Sequence, residues 1–243
     1  MTELGAHNTS EISSNKRTVL YIGAEKTGKT YGAFSWPKPY GIYTDHNQDT
    51  LAEYPGVPYD SPDTFKDLEE IVRELSLRTA PFETVVVDGF SVLSQMRKAE
   101  IQGGGSMDIQ KWGGLFDDML RVTGQLLALA HPTDNHPGYH IVGTTHINRM
   151  TDKDGALLEY RPHIQGQFGL WLPRMFNTIL GTDFKAEKKI TRKGTGPPEI
   201  EYEAKYVVYT TPPNNYWKLG GGFASKLPPV TSGLFKDLSK AWT

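Results

Sequence analysis

The chain has 243 residues, a formal net charge of −2 and no cysteine. This length allows one large domain with a hydrophobic core, and the small net charge argues against a generally basic protein that coats nucleic acid. The missing cysteines exclude disulfides and thiolate metal sites and fit a reducing compartment. Because the N-terminus is polar and no long apolar run follows, we expect a cytoplasmic protein without membrane segments.

The first part of the chain predicts a disordered tail over residues 1–17 and one domain over 18–243. The apolar run from Thr18 to Ile22 predicts a strand, and it leads directly into Gly23-Ala-Glu-Lys-Thr-Gly-Lys-Thr30. This segment matches the phosphate-binding pattern G-x-x-x-x-G-K-[ST] in its usual context of strand, loop and helix. It therefore predicts a loop that binds a nucleoside triphosphate such as ATP.

Each residue type in this loop has a physical role. The glycines at both ends of the pattern permit positive φ and a close approach of backbone N–H groups to phosphate oxygens. Lys29 is expected to contact the β- and γ-phosphates, and the Thr30 hydroxyl is expected to ligate Mg²⁺. The residues predicted to contact the nucleotide are Gly23, Ala24, Glu25, Lys26, Thr27, Gly28, Lys29, Thr30 and Tyr31.

A second strand, from Tyr40 to Thr44, follows a helix that Trp36 and Pro37 must end early. The strand runs into Asp45. In an open parallel sheet the carboxyl ends of the strands border the ligand crevice, so Asp45 should face the nucleotide. We expect it to act as the catalytic base that orients the attacking water, with Asp49 and Glu53 as alternatives.

A third strand is predicted by the unbroken β-branched run that ends in Asp88, after a helix that starts near Ser61. Four apolar residues followed by an acid form the second nucleotide-binding motif, whose carboxylate holds Mg²⁺. An ordinary Asp-Gly turn is the alternative interpretation. Because Gly89 follows, no second carboxylate is adjacent, and the base must come from elsewhere.

A glycine-rich segment over 102–114 follows a helix at about 91–100 and predicts an irregular loop. Its Lys111 and Trp112 combine a cation with a stacking surface, which suits single-stranded nucleic acid. The alternative is that Trp112 begins the next helix and packs into the core.

The strand predicted over 139–145 has His146 at its carboxyl end, where a side chain can sense the γ-phosphate. A solvated loop histidine is the alternative. Residues 147–168 lack clear periodicity and predict a long loop, which carries Arg149, Lys153 and Arg161.

The C-terminal part predicts a fifth strand over 176–181 and a β-hairpin that returns over 200–210. The basic arm of this hairpin faces glutamates, which indicates either cross-strand pairing or nucleic-acid binding. A short helix is expected near 233–242. The predicted class is α/β, with a mainly parallel sheet flanked by helices and a hairpin and C-terminal extension over about 182–243.

The order of these parts resembles the RecA-type ATPase core, and the phosphate loop resembles the RecA loop, including a Glu at its third position. More narrowly, residues from Gly23 to about Pro229 resemble the AAA-type nucleotide-binding proteins of tailed phages, some of which are RecA-like recombinases. The resemblance implies ATP hydrolysis between subunits of a ring or filament and single-stranded DNA binding by two loops. It also implies a single-strand annealing or single-strand-binding protein as a partner.

Individual positions follow from this resemblance. Residues 102–113 would match the first DNA-binding loop and 147–168 the second, while His146 takes the place of the γ-phosphate sensor and Asp45 that of the catalytic acid, which is Glu in RecA. Lys218 resembles the first residue of a Lys-x-Arg finger that acts on the neighbouring subunit. Gly220 replaces the Arg of that finger, so Arg149 and Arg174 are alternatives.

The predicted function is therefore that of a DNA-dependent ATPase of phage recombination or replication, which would act in the host cytoplasm with Mg²⁺. One alternative is a nucleotide-gated loader or structural partner without DNA binding. A small-molecule kinase with a phosphate loop is the other alternative.

Overall fold

The computed structural model of the protein describes residues 16–44, 52–77, 80–191, 199–215 and 217–241. Nine strands in this part of the chain form one sheet. The strands are β1 (Thr18–Gly23), β2 (Pro39–Tyr43), β3 (Tyr59–Asp60), β4 (Thr84–Asp88), β5 (His140–Thr151), β6 (Leu157–Pro162), β7 (Thr178–Thr191), β8 (Glu199–Tyr209) and β9 (Val230–Thr231).

Helices cover both faces of this sheet. They are α1 (Lys29–Phe34), α2 (Phe65–Leu77), α3 (Phe90–Gln102), α4 (Ile109–Ala128), α5 (Phe168–Met175) and α6 (Phe235–Leu238), with short 3₁₀ turns at Gly222–Lys226 and Ser239–Ala241. Among the described residues, none of the helices has both the length and the apolar character that crossing a membrane requires.

The strand order is β3-β2-β4-β5-β1-β7-β8-β9, and β6 pairs with β5 outside this path. The pairs from β3 to β7 along this order are parallel, and the pairs β7–β8, β8–β9 and β5–β6 are antiparallel. The predicted class, a mainly parallel sheet with flanking helices and a C-terminal β-hairpin, is confirmed. One feature of the order matters for the site: β5 lies between β1 and β4 and pairs with both.

Side chains of β1 point alternately into the two hydrophobic clusters that cover the faces of the sheet. Leu20 belongs to the core cluster that contains buried residues of α2, α3, α4 and α5. Its neighbour Tyr21 belongs to the cluster on the other face, with Phe34 of α1 and Leu238 of α6. Successive strand residues point to opposite faces, and a strand buried on both faces reads as a continuous apolar run. This explains why β1 and β4 could be recognised in the sequence.

Helix α4 begins earlier than predicted. The irregular loop that was expected to extend to residue 114 ends before Ile109, so Lys111 and Trp112 lie in the helix. Oδ1 of Asp108 accepts a hydrogen bond from the N–H of Lys111 at 2.8 Å, which caps the helix. Trp112 packs against the core, as the alternative interpretation proposed.

Residues 147–168 also contain more regular structure than predicted. Strand β5 continues to Thr151, and residues 147–151 pair with β6 in an antiparallel hairpin. Much of this hairpin stands away from the core, so polar residues occur on both of its faces and the alternation that identifies a strand is weak. The prediction of a long loop is therefore wrong for most of the segment.

The structured chain includes Arg17, at the end of the predicted tail. Its N–H donates to Nδ1 of His140 at 3.0 Å, and its carbonyl oxygen accepts from the N–H of Ile141 at 2.8 Å. Residues 1–15 of the predicted tail lie outside the described residues.

Candidate nucleotide site

The phosphate-binding loop connects the end of β1 to the start of α1. Lys29 is the first residue of α1 and is only 7% exposed. Its Nζ donates hydrogen bonds to the carbonyl oxygens of Gly23, at 3.2 Å, and Ala24, at 2.5 Å. The ammonium group is therefore held against the loop backbone, where a phosphate bound by the loop would meet a positive charge.

The two glycines at the fixed positions of the loop pattern are required for different reasons. Gly28 has a φ of 82°, a left-handed conformation that glycine adopts without strain. The expectation of positive φ at Gly23 is wrong, since this residue is the last of β1 and its φ is not positive. A Cβ at Gly23 would lie 2.0 Å from Oγ1 of Thr182 on β7. Gly23 is therefore required for close packing, and the loop is held to β7 by a 2.7 Å hydrogen bond between the hydroxyls of Thr27 and Thr182.

Asp88 accepts two side-chain hydrogen bonds at one carboxylate oxygen. The Thr30 hydroxyl donates to Oδ1 at 3.2 Å, and the Thr144 hydroxyl donates to the same oxygen at 2.5 Å. Asp88 is 5% exposed, and a buried carboxylate needs such donors to offset the loss of water. Thr30 and Asp88, which were predicted from two separate motifs, are thus brought into contact.

Strand registers explain why Thr144 joins this group. Val87 of β4 pairs with Gly143 of β5, and Ile22 of β1 pairs with Thr145. The carboxyl ends of β1 and β4 therefore lie level with residues 143–146 of β5, and the carboxyl ends of parallel strands are where ligands bind in open sheets. Thr144 was not predicted as a site residue from the sequence. The signal that could have identified it is the pair of threonines that ends the apolar part of β5.

Backbone geometry accounts for the glycine that follows Asp88. Gly89 has a φ of 109°, and a Cβ there would lie 2.6 Å from Oγ1 of Thr44. The Thr44 hydroxyl lies 2.9 Å from the carbonyl oxygen of Asp88 and 3.0 Å from that of Gly89. The N–H of Gly89 donates to Oγ1 of Thr144 at 3.0 Å. A second carboxylate therefore cannot replace Gly89 without strain and a steric clash.

His146 lies within β5 rather than at its end, because the strand continues to Thr151. It pairs with Gly23, the first residue of the loop pattern. Its N–H donates to Oγ of Ser91 at 3.1 Å, and Ser91 also shares a 2.8 Å hydrogen bond with the Thr145 hydroxyl. His146 is thus level with the loop and connected to the start of α3.

The donor set formed by Thr30 and Asp88 fits a magnesium ion. Hydroxyl and carboxylate oxygens are the hard ligands that Mg²⁺ prefers, and Mg²⁺ bound to nucleotides takes one or two such ligands from the protein. The two oxygens lie 3.2 Å apart, close to the separation of about 3 Å between neighbouring ligands in an octahedral Mg²⁺ shell.

The candidate bases Asp45 and Asp49 lie outside the described residues, and the third candidate, Glu53, is exposed. Described residues on both sides of the segment 45–51 contact elements of the site. Thr44 contacts the backbone at Asp88, and the Tyr54 hydroxyl donates to the carbonyl oxygen of Tyr31 in α1 at 3.2 Å. Burial raises the pKa of the Tyr54 hydroxyl, so this contact is made by the neutral side chain.

The two segments predicted to bind DNA contact each other at Trp112. Nζ of Lys98 lies 5.6 Å from the centroid of its ring, and a Cβ at Gly166 would lie 3.3 Å from the same ring. Lys98 also donates to Oε1 of Gln165 at 2.6 Å. Nζ of Lys111 donates to the carbonyl oxygens of residues 102 and 106. Trp112 is therefore partly covered, and Lys111 closes the turn before α4.

The remaining predicted DNA contacts lie on the β5–β6 hairpin. Arg149 is exposed on β5, and Lys153 is exposed in the turn between the two strands. Arg161 of β6 forms an ion pair with Glu159. Only the first two of these three cations therefore project from the hairpin without a described carboxylate at hydrogen-bond distance.

The candidates for a finger that acts on a neighbouring subunit are at two different places. Nζ of Lys218 lies 2.5 Å from Oε2 of Glu159, and this hydrogen bond, with that of Arg161, lowers the pKa of the Glu159 carboxyl. The Arg174 guanidinium lies 5.7 Å from the centroid of the exposed Trp171 ring on α5.

A family model described as an AAA domain matches residues 15–217 of the chain. The matched range contains the phosphate-binding loop, Asp88, Thr144 and the whole β7–β8 hairpin. None of the curated proteins compared with the chain matches it.

Proposed function

The chain belongs to the AAA domain family of P-loop nucleotide-binding proteins, and on this premise we propose that it hydrolyses ATP in a reaction coupled to single-stranded DNA. The observation that carries the ATPase proposal is the contact of Thr30 with Asp88 at the carboxyl edge of the sheet, beside the buried Lys29. These residues combine backbone amides, an ammonium group and a metal-binding oxygen pair, which is the set that phosphoryl transfer requires.

The residues of the loop bind and orient the triphosphate. Backbone N–H groups at the start of α1 are directed at the phosphates, and Lys29 exchanges its loop carbonyl partners for phosphate oxygens. Thr30 and Asp88 would hold Mg²⁺, which neutralises charge on the β- and γ-phosphates when bound. Thr144 fixes the orientation of the Asp88 carboxylate, since it donates to Oδ1 and accepts from the N–H of Gly89.

Asp45 is proposed as the base that orients the attacking water. The acid directly follows Thr44, whose hydroxyl contacts the backbone of Asp88 and Gly89. Gly89 itself provides no carboxylate, so the base must come from another strand. Asp49 and Glu53 belong to the same segment and are the alternatives.

Strand β5 supports the proposed coupling to DNA. The strand carries Thr144 and His146 at the nucleotide site and continues without a break into the hairpin with Arg149 and Lys153. A cavity of about 290 Å³ also extends from Ser91, the partner of His146, to Gln102 at the start of the first predicted loop and to residues 163 and 165 in the second. A change at the γ-phosphate would therefore reach both predicted DNA-binding segments through directly connected elements.

Assembly into a ring or filament is part of the proposal, with a finger residue supplied to the neighbouring subunit by Lys218 or Arg174. The exposed Trp171 and Arg174 together offer a stacking surface and a cation, which suits either a subunit contact or single-stranded DNA. The resemblance to phage recombinases supports a role in phage recombination or replication, beside a single-strand annealing or single-strand-binding protein.

The test is an ATPase assay with and without single-stranded DNA, at low and at moderate salt. Hydrolysis that DNA stimulates, or nucleotide affinity that DNA raises, is expected. Hydrolysis without any response to DNA, together with no DNA binding at low salt, would reject the coupling and favour the loader. Absence of both nucleotide binding and hydrolysis would reject the ATPase itself.

A further inference from the structure

Two large aromatic side chains lie exposed beside each other on the β7–β8 hairpin. Phe184 is 55% exposed and Tyr206 is 52% exposed. They are direct partners in the antiparallel register, so both side chains are on the same face of the hairpin. An aromatic pair that remains open to water is a surface that a flat apolar ligand can cover.

Alternation along the strands identifies this face as the one that carries α1. Leu180 and Thr182 precede Phe184 at intervals of two residues and therefore point to the same side. Leu180 is buried in the cluster that contains Phe34 of α1, and Thr182 contacts Thr27 of the phosphate-binding loop. Phe184 is thus the next residue after Thr182 on this face, and the exposed pair lies directly beside the phosphate-binding loop.

Tyr206 also contacts the loop itself. A Cβ at Gly28 would lie 3.2 Å from two ring carbons of Tyr206, so the ring packs against the backbone of this glycine. Gly28 immediately precedes Lys29, whose ammonium group is buried in the loop. Gly28 therefore lies between the Tyr206 ring and the expected phosphate site.

The direction in which a bound triphosphate runs along the loop determines which of its groups lies next to Tyr206. Thr30 and Asp88 mark the metal end, where the β- and γ-phosphates are held. Asp88 belongs to β4, which lies beyond β5 on one side of β1, whereas β7 and β8 lie on the other side. Because the γ-phosphate end faces β4 and β5, the nucleoside end leaves the loop toward β7 and β8.

We propose that Phe184 and Tyr206 form the stacking surface for the base of the bound nucleoside triphosphate. This inference rests on the proposed function and adds the residues that recognise the base. Stacking is tolerant of base identity, because every base has a π face, and it increases with the stacked area. The surface therefore favours purine over pyrimidine nucleotides.

The test separates the base from the phosphates by using two ligands that bind the same loop. Dissociation constants are measured for a non-hydrolysable ATP analogue and for inorganic tripolyphosphate, each with Mg²⁺, on the unaltered chain and on Tyr206→Ala and Phe184→Ala. We expect both variants to lose affinity for the ATP analogue by about 5- to 100-fold and to keep the affinity for tripolyphosphate. Tyr206→Phe should retain most of the affinity. Tyr59→Ala, which removes a similarly exposed tyrosine on the distant edge strand β3, is the matched control.

Each outcome decides the inference. An equal loss for both ligands in Tyr206→Ala, with no selective loss in Phe184→Ala, would mean that Tyr206 only shapes the loop, and this would overturn the stacking role. Unchanged affinity for the ATP analogue in both variants would overturn it as well. In either case the unaltered chain would still bind the analogue, so the proposed function would stand. Failure of the unaltered chain to bind either ligand would instead overturn the proposed function and the inference together.

Discussion

The hydroxyl of Thr144 donates a 2.5 Å hydrogen bond to the carboxylate oxygen of Asp88 that also accepts from Thr30. The contact joins β5 to β4 at the point where Mg²⁺ would be held. Thr144 is buried and also accepts from the N–H of Gly89, so one hydroxyl fixes both the side chain and the backbone of the metal-binding motif.

Thr144→Val should lower turnover by about 10- to 100-fold, as is typical when a residue that orients a metal ligand is removed. The change also leaves the buried N–H of Gly89 without this acceptor, and we expect a loss of about 1–3 kcal/mol in the free energy of unfolding. Turnover is measured at saturating ATP and Mg²⁺, and stability by urea unfolding. Thr144→Ser keeps the hydroxyl and should retain most of the activity. A loss in Thr144→Ser as large as that in Thr144→Val would show that keeping the hydroxyl is not enough, and this would contradict the orienting role of the hydroxyl.

Lys29→Ala should abolish turnover and weaken ATP binding by at least about 10-fold, because it removes the charged donor to the phosphates. The measurement is the rise in melting temperature on addition of ATP and Mg²⁺, which follows ligand affinity. Lys66→Ala, at an exposed lysine on α2, is the control and should show the normal rise. A normal rise in Lys29→Ala would mean that ATP binds elsewhere.

Asp45→Asn should leave nucleotide affinity largely intact and reduce turnover strongly, since the proposed base acts on water and does not bind the phosphates. Binding and steady-state turnover are measured side by side, with Asp49→Asn and Glu53→Gln as comparisons. Normal turnover in Asp45→Asn would assign the role of the base to Asp49 or Glu53, according to which of their variants is inactive.

Arg149→Ala and Lys153→Ala should weaken binding of single-stranded DNA without changing turnover in the absence of DNA. Each cation that contacts a phosphate of a single strand contributes about 0.7 unit to the slope of log affinity against log salt. The slope is measured by titration of labelled oligonucleotide at several salt concentrations and should decrease in each variant. An unchanged slope in both would exclude the β5–β6 hairpin from the DNA contact.

Stability should fall as the pH drops from about 6.5 to 4. Burial lowers the pKa of His140 to about 4, with further lowering by Lys16 and Arg17 and an opposing effect of Glu83. The unfolded chain therefore takes up a proton near pH 6.5 that the folded chain resists until pH 4, and the stabilisation present above pH 6.5 is lost progressively in this window, up to about 3 kcal/mol. The measurement is the urea midpoint at pH 7 and pH 5. In His140→Gln, which keeps an acceptor for the N–H of Arg17, the difference should shrink, and an unchanged difference would assign it to other groups.

The residues predicted from the sequence were those whose role depends on a local pattern. Lys29, Thr30 and Asp88 stand in motifs whose spacing implies their chemistry, and β1 and β4 are apolar runs that only a doubly covered sheet explains. Thr144 was not predicted, because its role depends on the register of β5 against β4, and the residue spacing within a motif does not specify this register.

The errors around the two predicted DNA-binding loops have different physical causes. Gly113 and Gly114 suggested an irregular loop, but the cap by Asp108 and the buried stripe of α4 outweigh their low helix propensity. The β5–β6 hairpin lacks a buried face over most of its length, so its strands show no clear alternation. In the first case burial of the α4 stripe outweighs local propensity, and in the second cross-strand pairing forms strands that periodicity does not reveal.

The position of β5 has a consequence for how the molecule is made. During synthesis both nucleotide motifs emerge long before residue 140, yet β1 and β4 have no shared neighbour until β5 is inserted between them. Parallel strands that meet only through distant segments close late and slowly in folding. A nascent chain that ends before β5 would therefore contain Thr30 and Asp88 in its sequence and still lack the strand that holds them together, so the metal-binding pair is assembled only after β5 has been synthesised.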